Sequence, residues 1–206
     1  MKKVSIIFGF AFLLIFLSSC LNTLHPIFTE KDLAYDPKLI GTWNTENQGN
    51  KGKVIISNLA TERSIELPGN ISSIKQKGYL ITYEDKDHEG TKRYIAFLVR
   101  IGKHLYFDYF PADKDEQKID EFFYAHLIKT HTSYRVDIYK DGSFELSQLA
   151  EGYVAKLIDE KKIRISHEIY TGDNILITAS TSELQQYLIK YSDEPEAYDE
   201  KTIFKK

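Results

Sequence analysis

The segment 93–110 limits the choice of fold more than any other part of this chain. Ile95, Phe97, Val99 and Ile101 alternate with Tyr94, Ala96 and Leu98, a period of two that belongs to an extended strand. Both alternating sets are apolar, so this strand needs cover on each side. Gly102-Lys103 fits a two-residue hairpin turn, and a return strand over 104–110 stops at Pro111, which has no ladder donor. The fold must therefore set an apolar layer against each face of a long antiparallel hairpin.

Other strands follow at short spacing, as an antiparallel all-β domain requires. The sequence predicts them over 41–46, 53–58, 63–67, 79–84, 122–130, 134–139, 143–147, 162–169, 175–178 and 202–204. Tyr79, Ile81 and Tyr83 alternate with Leu80, Thr82 and Glu84, and Tyr134, Val136 and Ile138 alternate with Arg135 and Asp137. Asp141-Gly142 reads as a type I′ turn. Fourteen tyrosines against one tryptophan and one methionine agree with a strand-rich chain. Two segments break the pattern. Leu149, Tyr153, Val154, Leu157 and Ile158 recur at helical spacing over 149–160. Ser180 and Glu183 form a capping box ahead of a stripe of Leu184, Tyr187, Leu188 and Tyr191, which can cover one face of the hairpin. The expected class is mainly β, an antiparallel barrel with one or two amphipathic helices.

The N-terminus carries a different message. Lys2 and Lys3 precede an uncharged apolar run over 4–17, which is signal-peptide anatomy. The run is shorter than the roughly 20 apolar residues of a spanning helix. It ends in Leu17-Ser18-Ser19-Cys20, which resembles the bacterial lipobox at all four positions. That resemblance implies diacylglycerol on the Cys20 sulfur, cleavage before Cys20 and acylation of the new amino group, so membrane lipid becomes a partner. Cys20 is the only cysteine, which leaves an exported protein without a disulfide framework. The expected division is a signal peptide over 1–19, a lipidated cysteine and tether over 20–38, and one β domain over 39–206. Leu21 is not the aspartate associated with inner-membrane retention, and no acidic run follows Cys20, so the expectation is an outer-membrane anchor and a periplasm-facing domain. Without residues 1–19 the chain holds 25 basic and 30 acidic residues, which argues against nucleic acid as a partner. Within the tether, Ile27, Phe28, Leu33 and Tyr35 are more apolar than a solvated linker needs, and some of them are expected to pack on the domain.

Asp36-Pro37-Lys38-Leu39-Ile40-Gly41-Thr42-Trp43 resembles the opening of a lipocalin or calycin barrel. In that family a turn precedes Gly-x-Trp, the glycine permits a tight lead into the first strand, and the tryptophan plugs the closed end. The resemblance gives those roles to Gly41 and Trp43. The chain lacks the family's Thr-Asp-Tyr signature and an arginine motif on a late strand. It is also similar to uncharacterised bacterial lipoproteins that share an opening like 28–33, a segment like 102–108 and a late helix, a likeness that implies no activity.

Little in the chain points to catalysis. His126 and His131 are five apart and would face opposite ways on one strand; His25, His88, His104 and His167 stand alone, without zinc-type spacing. Asp113, Asp115 and Glu116 lack the glycine and later glutamate of a calcium loop. Asp85, Asp87, His88 and Glu89 fall where a solvated turn is expected. No nucleophile elbow, phosphate loop, dinucleotide fingerprint or His-Glu-x-x-His occurs. The expectation is a non-enzymatic barrel without cofactor or metal, binding a small apolar ligand through Tyr94, Ala96, Leu98, Tyr106, Phe107 and Tyr109. The alternative is a filled barrel that acts as a protein-interaction or structural module of the cell envelope.

Overall fold

The computed structural model describes residues 20–62, 65, 67, 69–85, 90–112, 126–170 and 174–206. Its strands are β1 (Asn22–Thr23), β2 (Gly41–Asn47), β3 (Asn50–Asn58), β4 (Gly78–Asp85), β5 (Gly90–Ile101), β6 (His104–Pro111), β7 (His131–Ile138), β8 (Phe144–Leu149), β9 (His167–Tyr170), β10 (Asn174–Ile177) and β11 (Tyr198–Lys205). Strands β2 to β8 pair in sequence order, each antiparallel to the next, and β11 pairs with both β8 and β2. The result is an eight-stranded up-and-down barrel of lipocalin-like type, closed so that its strands leave no open edge. Short α1 (Gly69–Ser72) lies between β3 and β4, whereas α2 (Glu151–Asp159) and α3 (Thr181–Tyr191) fall between β8 and β11. Among the described residues no helix is long and apolar enough to cross a membrane.

The hairpin β5–β6 has its two covers. Ala96 pairs with Tyr109 and Leu98 with Phe107, and all four face the barrel interior with Trp43, Val54, Ile56, Tyr79 and Ile81. Ile95, Phe97, Val99 and Ile101 face outward and are buried under α3, through Leu184 and Leu188, and under the chain that precedes β2. The capping box of α3 forms as expected, with the Glu183 carboxylate accepting from the Ser180 N–H at 2.9 Å.

The segment before β2 is the second cover. Ile27 and Phe28 are buried, the Phe28 ring lies 5.1 Å from Phe97, Leu33 bridges to Val99, and the Ala34 N–H donates to the Leu98 carbonyl at 2.8 Å. The expected packing of Ile27, Phe28, Leu33 and Tyr35 on the domain is present. Asp108, fully buried on the outward face of β6, accepts from the Ile27 N–H at 2.9 Å and meets the His131 imidazole. This pair pins the segment to the wall.

One end of the barrel is sealed by the Gly-x-Trp opening. The chain makes a turn of 3₁₀ helix (Pro37–Leu39) and enters β2 at Gly41, whose φ of +143° is one that side-chain-bearing residues rarely adopt. Trp43 then lies inside, its Nε1–H donating to the Leu39 carbonyl at 2.9 Å and its ring edge-to-face with Phe144, the centroids 4.8 Å apart. Phe144 stacks on Phe204 at 4.4 Å, and the Lys206 ammonium sits 4.8 Å above the indole. A lysine at the end of the last strand thus covers the tryptophan.

Several local expectations differ from the structure. Asp141 does not take a positive φ; Gly142 alone does, at 86°, and its N–H donates to the Tyr139 carbonyl at 3.0 Å, so the turn is a three-residue loop with one glycine bulge rather than type I′. Leu149 ends β8, and helix α2 begins at Glu151. Residues 162–166 are not strand, because the Lys162 and Ile163 N–H groups donate to the Leu157 carbonyl and wrap the chain around the end of α2. Residues 127–130 are irregular, and 122–125 lie outside the described residues. Of 63–67, Ile65 and Leu67 are described and irregular, with no ladder partner to extend them. Asp85 ends β4, whereas Asp87, His88, Glu89, Asp113, Asp115 and Glu116 fall outside the described residues.

Candidate functional site

The interior alternates along each strand, so the chain's tyrosine spacing decides what lies above the Trp43 plug. Tyr83 of β4, Tyr94 of β5, Tyr109 of β6 and Tyr134 of β7 come from four consecutive strands and form a belt of edge-on rings. Successive centroids are 5.8, 6.3 and 5.1 Å apart. Leu146, Gln148, Thr202 and Phe204 of β8 and β11 complete the wall. Together they enclose a cavity of about 850 Å³ that opens between the ends of β2, β4 and β8. Lys51, Glu84, Lys92 and Glu200 stand at its mouth. The size lies within the range of small-molecule sites, about 300–1,000 Å³.

The belt is apolar in body and polar at one atom per ring. Burial pushes the Tyr83 hydroxyl up to about 12, and burial raises Tyr109 and Tyr134 further. All three are therefore neutral at physiological pH and remain hydrogen-bond donors. Tyr109 is nearly inaccessible, and its hydroxyl has no partner at bonding geometry, although the Tyr83 hydroxyl is within electrostatic reach. A buried hydroxyl left without a partner costs about 1–3 kcal/mol. Replacing it is therefore expected to help: Tyr109→Phe should match or exceed the parent in urea unfolding of the soluble domain, by up to about 1–3 kcal/mol.

Cys20 lines the same cavity. The thiol lies within hydrogen-bonding reach of the Tyr134 hydroxyl, and the chain holds it there by a bridge to Ala150 and a bond from the Leu21 N–H to the Leu149 carbonyl at 3.4 Å. Burial raises the thiol pKa, and the carboxylates of Glu200 and Glu151 push the same way. Such a thiol is not an activated nucleophile.

The residues singled out for ligand contact separate into three groups. Tyr94 and Tyr109 line the cavity. Ala96, Leu98 and Phe107 face inward but belong to the packed half below, against Tyr79 and Trp43. Tyr106 is on the other face: adjacent strand residues point opposite ways, so with Phe107 inward Tyr106 must be outward, where its hydroxyl is 3.3 Å from that of Tyr198. Sequence reasoning missed Tyr83, Tyr134 and the β8–β11 wall as cavity residues, although the alternation at 79–83 and 134–138 carried the signal. Nothing local could have placed Cys20 beside them, since its neighbours come from residues 114 and 130 positions away.

A second, shallower recess of about 450 Å³ lies at the far end of the wall. It is lined mainly by charges already engaged with each other, Arg135 with Asp137 at 2.9 Å and Lys201 with Glu145 at 3.0 Å. The cavity above the plug is the candidate site. Among the described residues no group of three or more His, Cys, Asp or Glu side chains could hold a metal ion. Compared with protein-family models, with curated proteins and with solved structures, the chain matches none.

Proposed function

We propose that this chain is an envelope lipoprotein, held to the outer membrane by lipid on Cys20, whose barrel binds a small apolar or amphiphilic ligand on the periplasmic side. The observation that carries the ligand reading is the cavity above Trp43, of about 850 Å³, which has the belt of tyrosines on one wall and Leu146 and Phe204 on the other. Rings of this kind supply contact area with little rotamer loss, and their hydroxyls fix a polar group of the ligand. The unfilled interior favours this reading over a filled barrel acting only as an interaction module. The lipid anchor rests on Leu17-Ser18-Ser19-Cys20 and the apolar run before it.

Titration of the soluble Cys20→Ala domain with an environment-sensitive apolar probe tests the ligand reading. One saturable site, displaced by fatty acid, is expected; absence of saturable binding sinks this reading in favour of the interaction module. Tyr94→Phe sharpens the test. Tyr94 lines the cavity and is only half-buried, so a ligand that accepts from its hydroxyl should bind this variant about two- to tenfold more weakly, the worth of one hydrogen bond of about 0.5–1.5 kcal/mol.

A further inference from the structure

We infer that the open mouth of the barrel is the surface this protein lays against the bilayer, so that the cavity takes an acyl chain directly from the membrane; this rests on the lipidation of Cys20 proposed above. The first support is where the lipid would begin. The Cys20 side chain lines the cavity beside Tyr134, at the end of the barrel opposite the Trp43 plug. A thioether on that sulfur starts at the mouth.

The second support is the lack of slack. A flexible spacer of n residues spans about 5–6 Å times the square root of n and lets a domain turn freely. Here Asn22 and Thr23 pair with Thr132 and His131 of β7 and with Leu176 and Ile177 of β10, the Leu24 N–H donates to the Ile177 carbonyl at 2.8 Å, and the Ile27 N–H is bound by Asp108. No free spacer separates the sulfur from the barrel. Acyl chains entering a bilayer from Cys20 must bring the mouth with them.

The third support is independent of the cysteine. Leu127 and Ile128 are 56% and 69% exposed in the segment leading to Thr130, which itself lines the cavity. Ile169, 65% exposed, lies on β9, and Tyr170 beside it pairs with Asn174 of β10, the strand that also holds β1. Two apolar edges therefore flank the end that carries Cys20, and such side chains bury about 5–10 Å into the headgroup and acyl boundary. Mouth charges of both signs, Lys51 and Lys92 with Glu84 and Glu200, leave the attraction to lipid and apolar contact rather than to charge. A ligand entering from the bilayer then meets the tyrosine belt without crossing water.

The lone Trp43 makes the test direct, because it marks the sealed end. The full-length, processed protein is reconstituted in phosphatidylethanolamine and phosphatidylglycerol vesicles whose acyl chains are brominated near the headgroup, and intact mass confirms lipid on Cys20. Wild-type emission should be little quenched. Ile128→Trp, or Ile169→Trp should the first fail to fold, should lose at least half of its added emission, and Tyr139→Trp at the sealed end should lose little. Lipidated protein in which Ile128→Trp and Ile169→Trp escape quenching, or in which Tyr139→Trp is quenched instead, overturns the orientation while leaving lipidation intact. Protein without lipid on Cys20 overturns both.

Discussion

Trp43→Ala should destabilise the soluble domain by about 3–5 kcal/mol, the range for truncating a large buried aromatic. For a domain of this size that lowers the thermal midpoint by roughly 6–20 °C. Three losses combine. The indole is almost wholly buried, so its removal opens a cavity between β2 and β8 against Phe144. The Leu39 carbonyl loses its Nε1–H donor and sits in an apolar neighbourhood. The Lys206 ammonium loses the ring face beneath it. Trp43→Phe retains much of the ring contact and forfeits the hydrogen bond, so its cost should be clearly smaller. Thermal and urea unfolding followed by far-ultraviolet circular dichroism check both, and equal midpoints for Trp43→Ala and the parent would remove the plug from the account of stability.

How far the sequence led to this barrel depends on the range of the interaction involved. The hairpin at 93–110 was legible because alternation is local and both of its faces announce a need for cover. The plug was legible in the Gly-x-Trp opening, where Gly41 takes a positive φ at the lead into β2 and Trp43 is buried at one end of the barrel. The capping box of α3 was equally local. Illegible features share a different trait: each is settled by partners far along the chain. Asp108 is a charged residue on the return strand 104–110, and nothing near it in the chain signals that it is buried with the N–H of Ile27, 81 positions away, as its donor. The strand expected from residue 162 fails because the helix end at Leu157 captures its first donors.

The same distinction explains the ligand residues. Composition gives no sign of where a meander stops being packed and becomes hollow; that depends on which side chains meet across the barrel. Ala96, expected among the ligand contacts, leaves little room, because Phe107 and Tyr79 fill the space beside it from neighbouring strands, with ring centroids 5.4 Å apart. The space lies one layer higher, where Gln148 and Thr202 on β8 and β11 face the tyrosine belt and leave it unfilled. Packing concentrates in the lower layer and the cavity lies in the upper one. On the proposed ligand reading, substitutions should separate along that line, Trp43→Ala in stability and Tyr94→Phe in binding.

Cys20→Ala should abolish acylation and release the protein from the membrane fraction. The chain has no second sulfur nucleophile of this kind, since Cys20 is the only cysteine and the thioether cannot form on alanine. Without cleavage before a lipidated cysteine, the apolar run over 4–17 is retained, but it is too short for a comfortable span of about 20 residues. Two or three acyl chains contribute about 0.8 kcal/mol per buried methylene, so their loss changes the membrane partition by many orders of magnitude and dwarfs any effect on folding. The domain itself should tolerate the change, because the Cys20 side chain lines an open cavity and leaves only the Tyr134 hydroxyl to be resolvated. Metabolic labelling with a tagged fatty acid, carried out beside thermal melting of the released protein, reads the two consequences separately. Label retained on Cys20→Ala would overturn the lipoprotein reading, whereas loss of label with an unchanged melting midpoint would place the whole effect of this residue in the anchor.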